Sequence, residues 1–169
     1  MVLYCPNSPA VNGPYTDGVP ELCPTAARPA LFFTELILDG NLAIPPQKPP
    51  KVHIIKDTHE VKLTDVELLP VFLPGNTTTT PNGYKIVVSG IFSLLLEYIA
   101  EGPEQKVHVV HFNLPFNALI LNDCGGLIPP DKLPDDFVVH VCVEKIRYTQ
   151  INNRTIQKEI VLMVWVEEL

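Results

Sequence analysis

Five histidines and four cysteines are the residues of this 169-residue chain that could ligate a metal or pair a nucleophile with its base. His108 and His111 are three apart in a segment that reads as a strand, so their side chains point to opposite faces and cannot chelate one ion together. His53, His59 and His140 are scattered, and Cys5, Cys23, Cys124 and Cys142 contain no C-x-x-C pair of the kind zinc sites use. Cys142 has His140 two residues away on the same strand face, the arrangement of a thiol nucleophile and a base. Its neighbours are apolar, and a thiol buried among them stays protonated and inert, so the pair reads as core-like.

The other motifs are weaker. Asp131, Asp135 and Asp136 lack the one-three-five spacing and the bidentate glutamate of a calcium loop, and read as a solvated acidic turn. Cys124-Gly125-Gly126 is a glycine loop without the lysine and hydroxyl residue of a phosphate cradle. Asn76-Thr77-Thr78 and Asn153-Arg154-Thr155 match the glycosylation sequon, but Met1 to Pro6 has no basic and apolar leader to bring the chain to that machinery. The expectation is cytosolic synthesis, no enzyme activity, no cofactor and no metal.

Composition narrows the partners. The chain is 46% hydrophobic and 18% charged, with a formal net charge of −7. No basic stripe is present to displace the counterions of a nucleic acid. No apolar run is long enough for a bilayer; Val88 to Ala100 is interrupted by serines, a glycine and Glu97. A charged share below the usual quarter leaves little polar surface and tilts toward a protein that covers itself with partners.

The elements that must position these residues are strands. Val52–Lys56, Glu60–Leu73 broken near Pro70, Gly83–Glu101 bending at Gly90, Lys106–Asn113, Ala118–Leu121, Phe137–Gln150 and Thr155–Glu167 carry the β pattern. Polar loops at 76–83 and 123–136 separate them. The expected fold is an all-β, single-domain antiparallel β-sandwich over residues 51–169, preceded by a proline-rich arm and linker over residues 1–50 that includes a strand at 31–38.

The last two strands can be paired from the sequence. A two-residue turn at Asn152-Asn153 sets Val143 against Leu162, Val141 against Val164 and Val139 against Val166, an aliphatic core face. The opposite face pairs His140 with Trp165, Cys142 with Met163, Glu144 with Val161 and Ile146 with Glu159, neither clean core nor clean solvent, and is the candidate interface face. Gly83–Glu101 repeats the theme. Ile86, Val88, Phe92, Leu94, Leu96 and Tyr98 line one side, yet Val87, Ile91, Leu95 and Ile99 put apolar groups on the other. Something covers that second face, either the chain's own loops or arm, or a neighbouring subunit.

Ten of the 18 prolines fall within residues 1–50, so the arm reads as extended chain, and Pro45-Pro46-Gln47-Lys48-Pro49-Pro50 as a stiff polyproline linker.

Residues from about His53 to Glu167, roughly two thirds of the chain, resemble the SPOCS-type domain of spore-forming Firmicutes, a β domain of spore coat and spore-envelope assembly proteins. The resemblance rests on "VELLPVFLPG" leading to "YKIVVSGIFSLLLEYI", on "VHVVHFNLPFNALI" ending in Pro-Phe and a short strand, and on the closing hairpin "INNRTIQKEIVLMVWV". It implies a non-enzymatic structural protein made in the mother cell and placed at the spore surface or envelope, self-assembling into a layer or filament. Other spore coat proteins are further partners on that reading. Here the chain departs from multidomain members, having one module and no LysM repeat.

By the logic of spore appendage connectors, the arm then links subunits. Leu31, Phe33, Leu36 and Leu38 add a strand to a sheet edge, the chain's own or a neighbour's. Cys5 and Cys23 form disulfides, with Cys124 of an adjacent subunit as one partner. The alternative for the arm is to fold back across its own domain, covering the apolar second face, with Cys5–Cys23 as an internal bridge. The alternative for the protein is a soluble adaptor that recruits coat or cell-wall components through its loops.

Overall fold

A computed structural model describes residues 29–122 and 125–169. Among them are six strands: β1 Phe32–Ala43, β2 Lys51–Val71, β3 Gly83–Ala100, β4 Val107–Ile120, β5 Phe137–Gln150 and β6 Thr155–Glu168. They form two three-stranded antiparallel sheets, β1-β6-β5 (sheet A) and β2-β3-β4 (sheet B). One turn of 3-10 helix, Pro130–Lys132, is the only helical element among the described residues. The all-β expectation therefore holds, and β1, upstream of Lys51, belongs to the same sheets as the rest.

Alternation explains the layers. The even-numbered residues from Ile86 to Ala100 in β3 and from Ile156 to Val166 in β6 point inward and are buried, so that Leu94, Leu96 and Phe92 of β3 share one apolar cluster with Ile160 and Leu162 of β6. A second cluster at the other end joins Phe32, Ile86, Ile120, Ile128, Val164 and Val166. β1 lies beside β4 and β2 beside β5, closing the flanks of this core.

Three expectations need correction. The two strands placed at 52–56 and 60–73 are one strand, β2, carrying register irregularities at Lys51/His53, Ile54/Lys56 and Leu63/Asp65. The two pieces at 106–113 and 118–121 are also one strand, because β4 is an edge and Pro115 removes no N–H that both neighbours need. The chain at Gly90 keeps its pairing with β4; the irregularity lies opposite, in β2.

The closing hairpin is also not the tight two-residue turn that Asn152-Asn153 suggested. Ile151 N–H bonds Thr155 O at 3.0 Å, and the Asn152 Oδ1 accepts N–H bonds from Arg154 and Thr155, both at 2.8 Å. This loop is one residue longer, and a bulge between Val143 and Lys145 compensates it. Val139, Val141 and Val143 keep the predicted partners. Beyond the bulge Lys145, not Glu144, faces Val161, and Arg147, not Ile146, faces Glu159. The slip turns Ile146 and Tyr148 inward, where both pack against the core.

The Pro45–Pro50 connection, expected as a stiff polyproline linker, instead makes a turn (Lys48 N–H to Pro45 O, 2.9 Å) and docks on that hairpin loop. Arg154 Nη1 donates to Lys48 O at 3.0 Å, Tyr98 OH to Pro49 O at 2.9 Å, and the buried Lys51 Nζ to Asn152 O. Burial pulls the Lys51 ammonium below the usual lysine range, against the opposing pull of Glu101.

Candidate functional site

The outward face of sheet A gathers the residues that the hairpin reading singled out. Trp165 sits in the central strand, with Phe33 of β1 on one side and His140 of β5 on the other. One row further along, Met163 lies between Glu35 and Cys142. The imidazole of His140 stacks on the Trp165 indole, ring centroids 5.1 Å apart and planes inclined by 26°. His140 Nε2 lies 2.8 Å from Glu167 Oε2, so the carboxylate fixes the ring against the indole. Glu167 was not foreseen as part of this group. Its signal was its place two residues after Trp165, on the same face of the same strand.

Burial is uneven here. Trp165 is 3% exposed and Cys142 2%, although both point away from the core, and no described strand lies over them. The Trp165 Nε1 is buried without a hydrogen-bond partner. At the β1 margin, by contrast, Phe33 is 56% and Ile37 62% exposed. Glu144, at the bulge, is half-buried; desolvation, with the nearby Glu35, raises its carboxyl above the usual range.

Cys142 is disulfide-bonded, which corrects the reading of a protonated core thiol and takes away the nucleophile of a Cys142–His140 pair. The cysteines proposed for inter-subunit bridges, Cys5, Cys23 and Cys124, lie outside the described residues. Of the arm positions, Leu31 bonds Val166 O through its N–H at 2.8 Å, and Phe33, Leu36 and Leu38 lie in β1, hydrogen-bonded to the chain's own β6. Leu36 and Leu38 face the core, and Phe33 faces out.

The remaining candidates are dispersed. His108 faces inward and stacks on Tyr98 (5.9 Å), while His111 faces out on the same strand. His59 stacks on Phe92 (5.6 Å). Asp131, Asp135 and Asp136 are exposed. No group of three or more histidine, cysteine or acidic side chains is placed to hold a metal among the described residues. A cleft of about 260 Å³ is lined by Asp39, Arg147, Thr149, Gln157, Lys158 and Glu159. Two of its charged groups are engaged: Lys158 Nζ donates to the backbone carbonyl of Asp39, and Glu159 pairs with Lys145 outside the cleft at 2.7 Å.

No helix among the described residues is long and apolar enough to cross a membrane. No protein-family model, curated protein or solved structure matches the chain.

Proposed function

We propose that this chain is a non-enzymatic structural subunit, a β-sandwich that assembles with copies of itself into a layer or filament of the spore-surface kind. Subunits are joined through the N-terminal arm by strand addition and disulfides. The observation that carries this reading is the outer edge of β1. Three of the four edge strands have a feature that discourages a further strand: β2 has its irregularities and Pro70, β4 has Pro115, and β5 has the bulge at Glu144. β1 pairs with β6 without a register shift over its whole length and contains no proline. Its free side, among the described residues, offers a row of backbone donors and acceptors from Phe32 to Leu38, flanked by exposed Phe33 and Ile37, before the strand bends at Gly40 with a φ of 114°. A neighbour's arm pairing there makes a head-to-tail contact, which propagates unless its rotation closes a ring. The spore setting rests on the sequence resemblance alone.

The test is negative-stain electron microscopy of the full chain, with and without reductant, beside a form lacking residues 1–28. Ordered tubes or sheets that disappear with the arm are expected. Uniform small particles from the full chain would overturn the reading.

A second reading, an adaptor that recruits coat or wall components, is favoured by one loop. Asn76 braces residues 73–82 through bonds to Thr78, Thr80 and Asn82, all between 2.8 and 3.0 Å. Beside it Phe72 and Leu73 stand exposed. Monodisperse protein that loses a coat partner on Phe72→Ser substitution would select this reading.

A further inference from the structure

The outer face of sheet B is apolar and open. In β3 it carries Val87, Ile91, Leu95 and Ile99, and at its two ends in the edge strand β4 Leu119 is 42% and Val107 58% exposed. No described strand lies over it. We propose that a second copy of this chain stacks on this face about a two-fold axis that lies between the two sheets and runs across the strands. Each strand then lies over its own counterpart in the reverse direction. The contact uses no part of the arm, so it is independent of strand addition.

The order of side chains along the strands carries this. The register builds the face from rows, one residue from each strand, and the middle row is Glu60, Ser93 and Asn113. A reversal about that row lays apolar groups on apolar groups. Val87 meets Ile99, Ile91 meets Leu95, and Leu119 meets Val107, each pair equally distant from the middle. Between the apolar rows Ser89 and Ser93 already donate to Asn117 and Asn113, at 2.8 and 3.0 Å, so both hydroxyls go under cover with a partner.

Charge fixes the direction. The outward charges of β2 are sorted along the strand, with Asp65 and Glu67 toward one end and Lys56 and His53 toward the other. Lys56, Asp65 and Glu67 form no ion pair among the described residues. The reversal sets Asp65 over Lys56 of the second copy, twice by symmetry, and Glu67 over His53. Glu60, on the axis, is neutralised by its own Lys62 at 3.0 Å. The other face-to-face two-fold, with its axis along the strands, lays β2 over β4. It sets Glu67 against Leu119 and Lys62 against Pro115, covering charges without opposite partners. Size also fits. From the Glu67 row to the His53 row the patch covers roughly 600 Å² at ordinary strand spacings, about 1,200 Å² over both copies, the low end for a specific interface.

The test uses the full chain with reductant present. Unlabelled and nitrogen-15-labelled protein are mixed and coupled with a zero-length carbodiimide, which joins an amine to a carboxylate touching it. Lys56 and Asp65 stand roughly 27 Å apart on one strand, so a link between them joins two chains. A Lys56–Asp65 peptide of mixed label is expected. Its absence, as when the arm covers the face, would overturn the proposal, and so would Asp65 linked between chains only to other lysines. Charge reversals then test the direction. Lys56→Glu and Asp65→Lys each set like charges together at both symmetric positions and are expected to weaken dimerisation about tenfold or more in sedimentation velocity, with far-ultraviolet circular dichroism unchanged. An equimolar mixture of the two variants places opposite charges together at both positions and is expected to recover the parent affinity to within about threefold. Association that neither reversal weakens, or that mixing fails to restore, would overturn the two-fold contact.

Discussion

Phe116 of β4 packs over the bare backbone of Gly90 in β3: a Cβ at Gly90 would lie 2.3 Å from the Phe116 Cζ and 2.7 Å from the carbonyl oxygen of Lys62. The two residues are cross-strand partners, and Gly90 is the one residue of the inward row from Ile86 to Tyr98 without a side chain. The ring fills the space that a side chain would take. Gly90→Ala must displace both an aromatic ring and backbone, and should cost about 1–3 kcal/mol, the range for overpacking. Urea denaturation of the variant checks this. Adding Phe116→Leu to the alanine variant should recover part of the loss.

Tyr148 gives the opposite kind of prediction. The bulge turns it inward, its hydroxyl is buried without a partner, and burial, assisted by Asp57, holds its phenol far above the ordinary value of 10.0. A buried donor left unpaired costs about 1–3 kcal/mol, so Tyr148→Phe should leave stability unchanged or raise it by about 1 kcal/mol. The sign of the pH effect follows. The folded state keeps this proton when the unfolded chain has lost it, so stability falls as pH rises above about 10. The phenylalanine variant should show a shallower alkaline decline, read from denaturation midpoints between about pH 9 and 11.

Glu144 should matter at the acid end. Its folded carboxyl is raised above 4.5 by burial and by Glu35, so the folded state binds the proton more tightly than the unfolded one. Its contribution is favourable below the unfolded value and is lost as pH rises from 4.5 through the folded value. Glu144→Gln should therefore gain stability relative to the parent as pH rises through that window, and Glu35→Gln should reproduce part of the gain. Equal midpoints across the window in all three proteins would contradict this.

Lys51 tests the end where the proline-rich connection meets the hairpin loop. Its ammonium is wholly buried and donates to Asn152 O, yet burial lowers its affinity for the proton. The unfolded chain binds that proton more tightly, so this group adds stability as pH rises from its folded value toward 10.5. Lys51→Met should remove that rise. Asn152 is exposed, so water can take the place of the ammonium at its carbonyl, and the loss near neutral pH should be about 0.5–1.5 kcal/mol, the net worth of one hydrogen bond. Thermal unfolding across the alkaline range separates the two effects.

The sequence was most readable where alternation was regular. The inward row of β3 and the Val139–Val143 face of β5 followed from spacing alone, because a two-residue period leaves one face to bury. The bulge at Glu144 was legible in principle: the inward apolar positions run 139, 141, 143 and then 146, 148, a slip of one residue that a strict two-residue turn ignores. The break placed near Pro70 and the gap left at 114–117, which holds Pro115, were misreadings because a proline does not announce that its strand is an edge. The burial of Lys51 was hidden for another reason. It depends on a carbonyl about a hundred residues away, and no local pattern reports such a partner. The outward Trp165 group was half visible: its members shared a face, but nothing in their spacing told what covers them.

The pairing of β1 with β6 carries a consequence in time. Phe32, in the first described strand, is a partner of Val166, near the end of the last one. Sheet B joins three consecutive strands and can form from neighbours as they leave the ribosome. Sheet A has to wait for β6, the strand that both β1 and β5 pair with, and closing so long a loop is slow. Through that delay Phe33, Leu36 and Leu38 have no home partner. The order of synthesis thus gives each nascent chain an interval in which its first strand is open to whatever complementary edge is nearest, including the same strand of a chain made beside it.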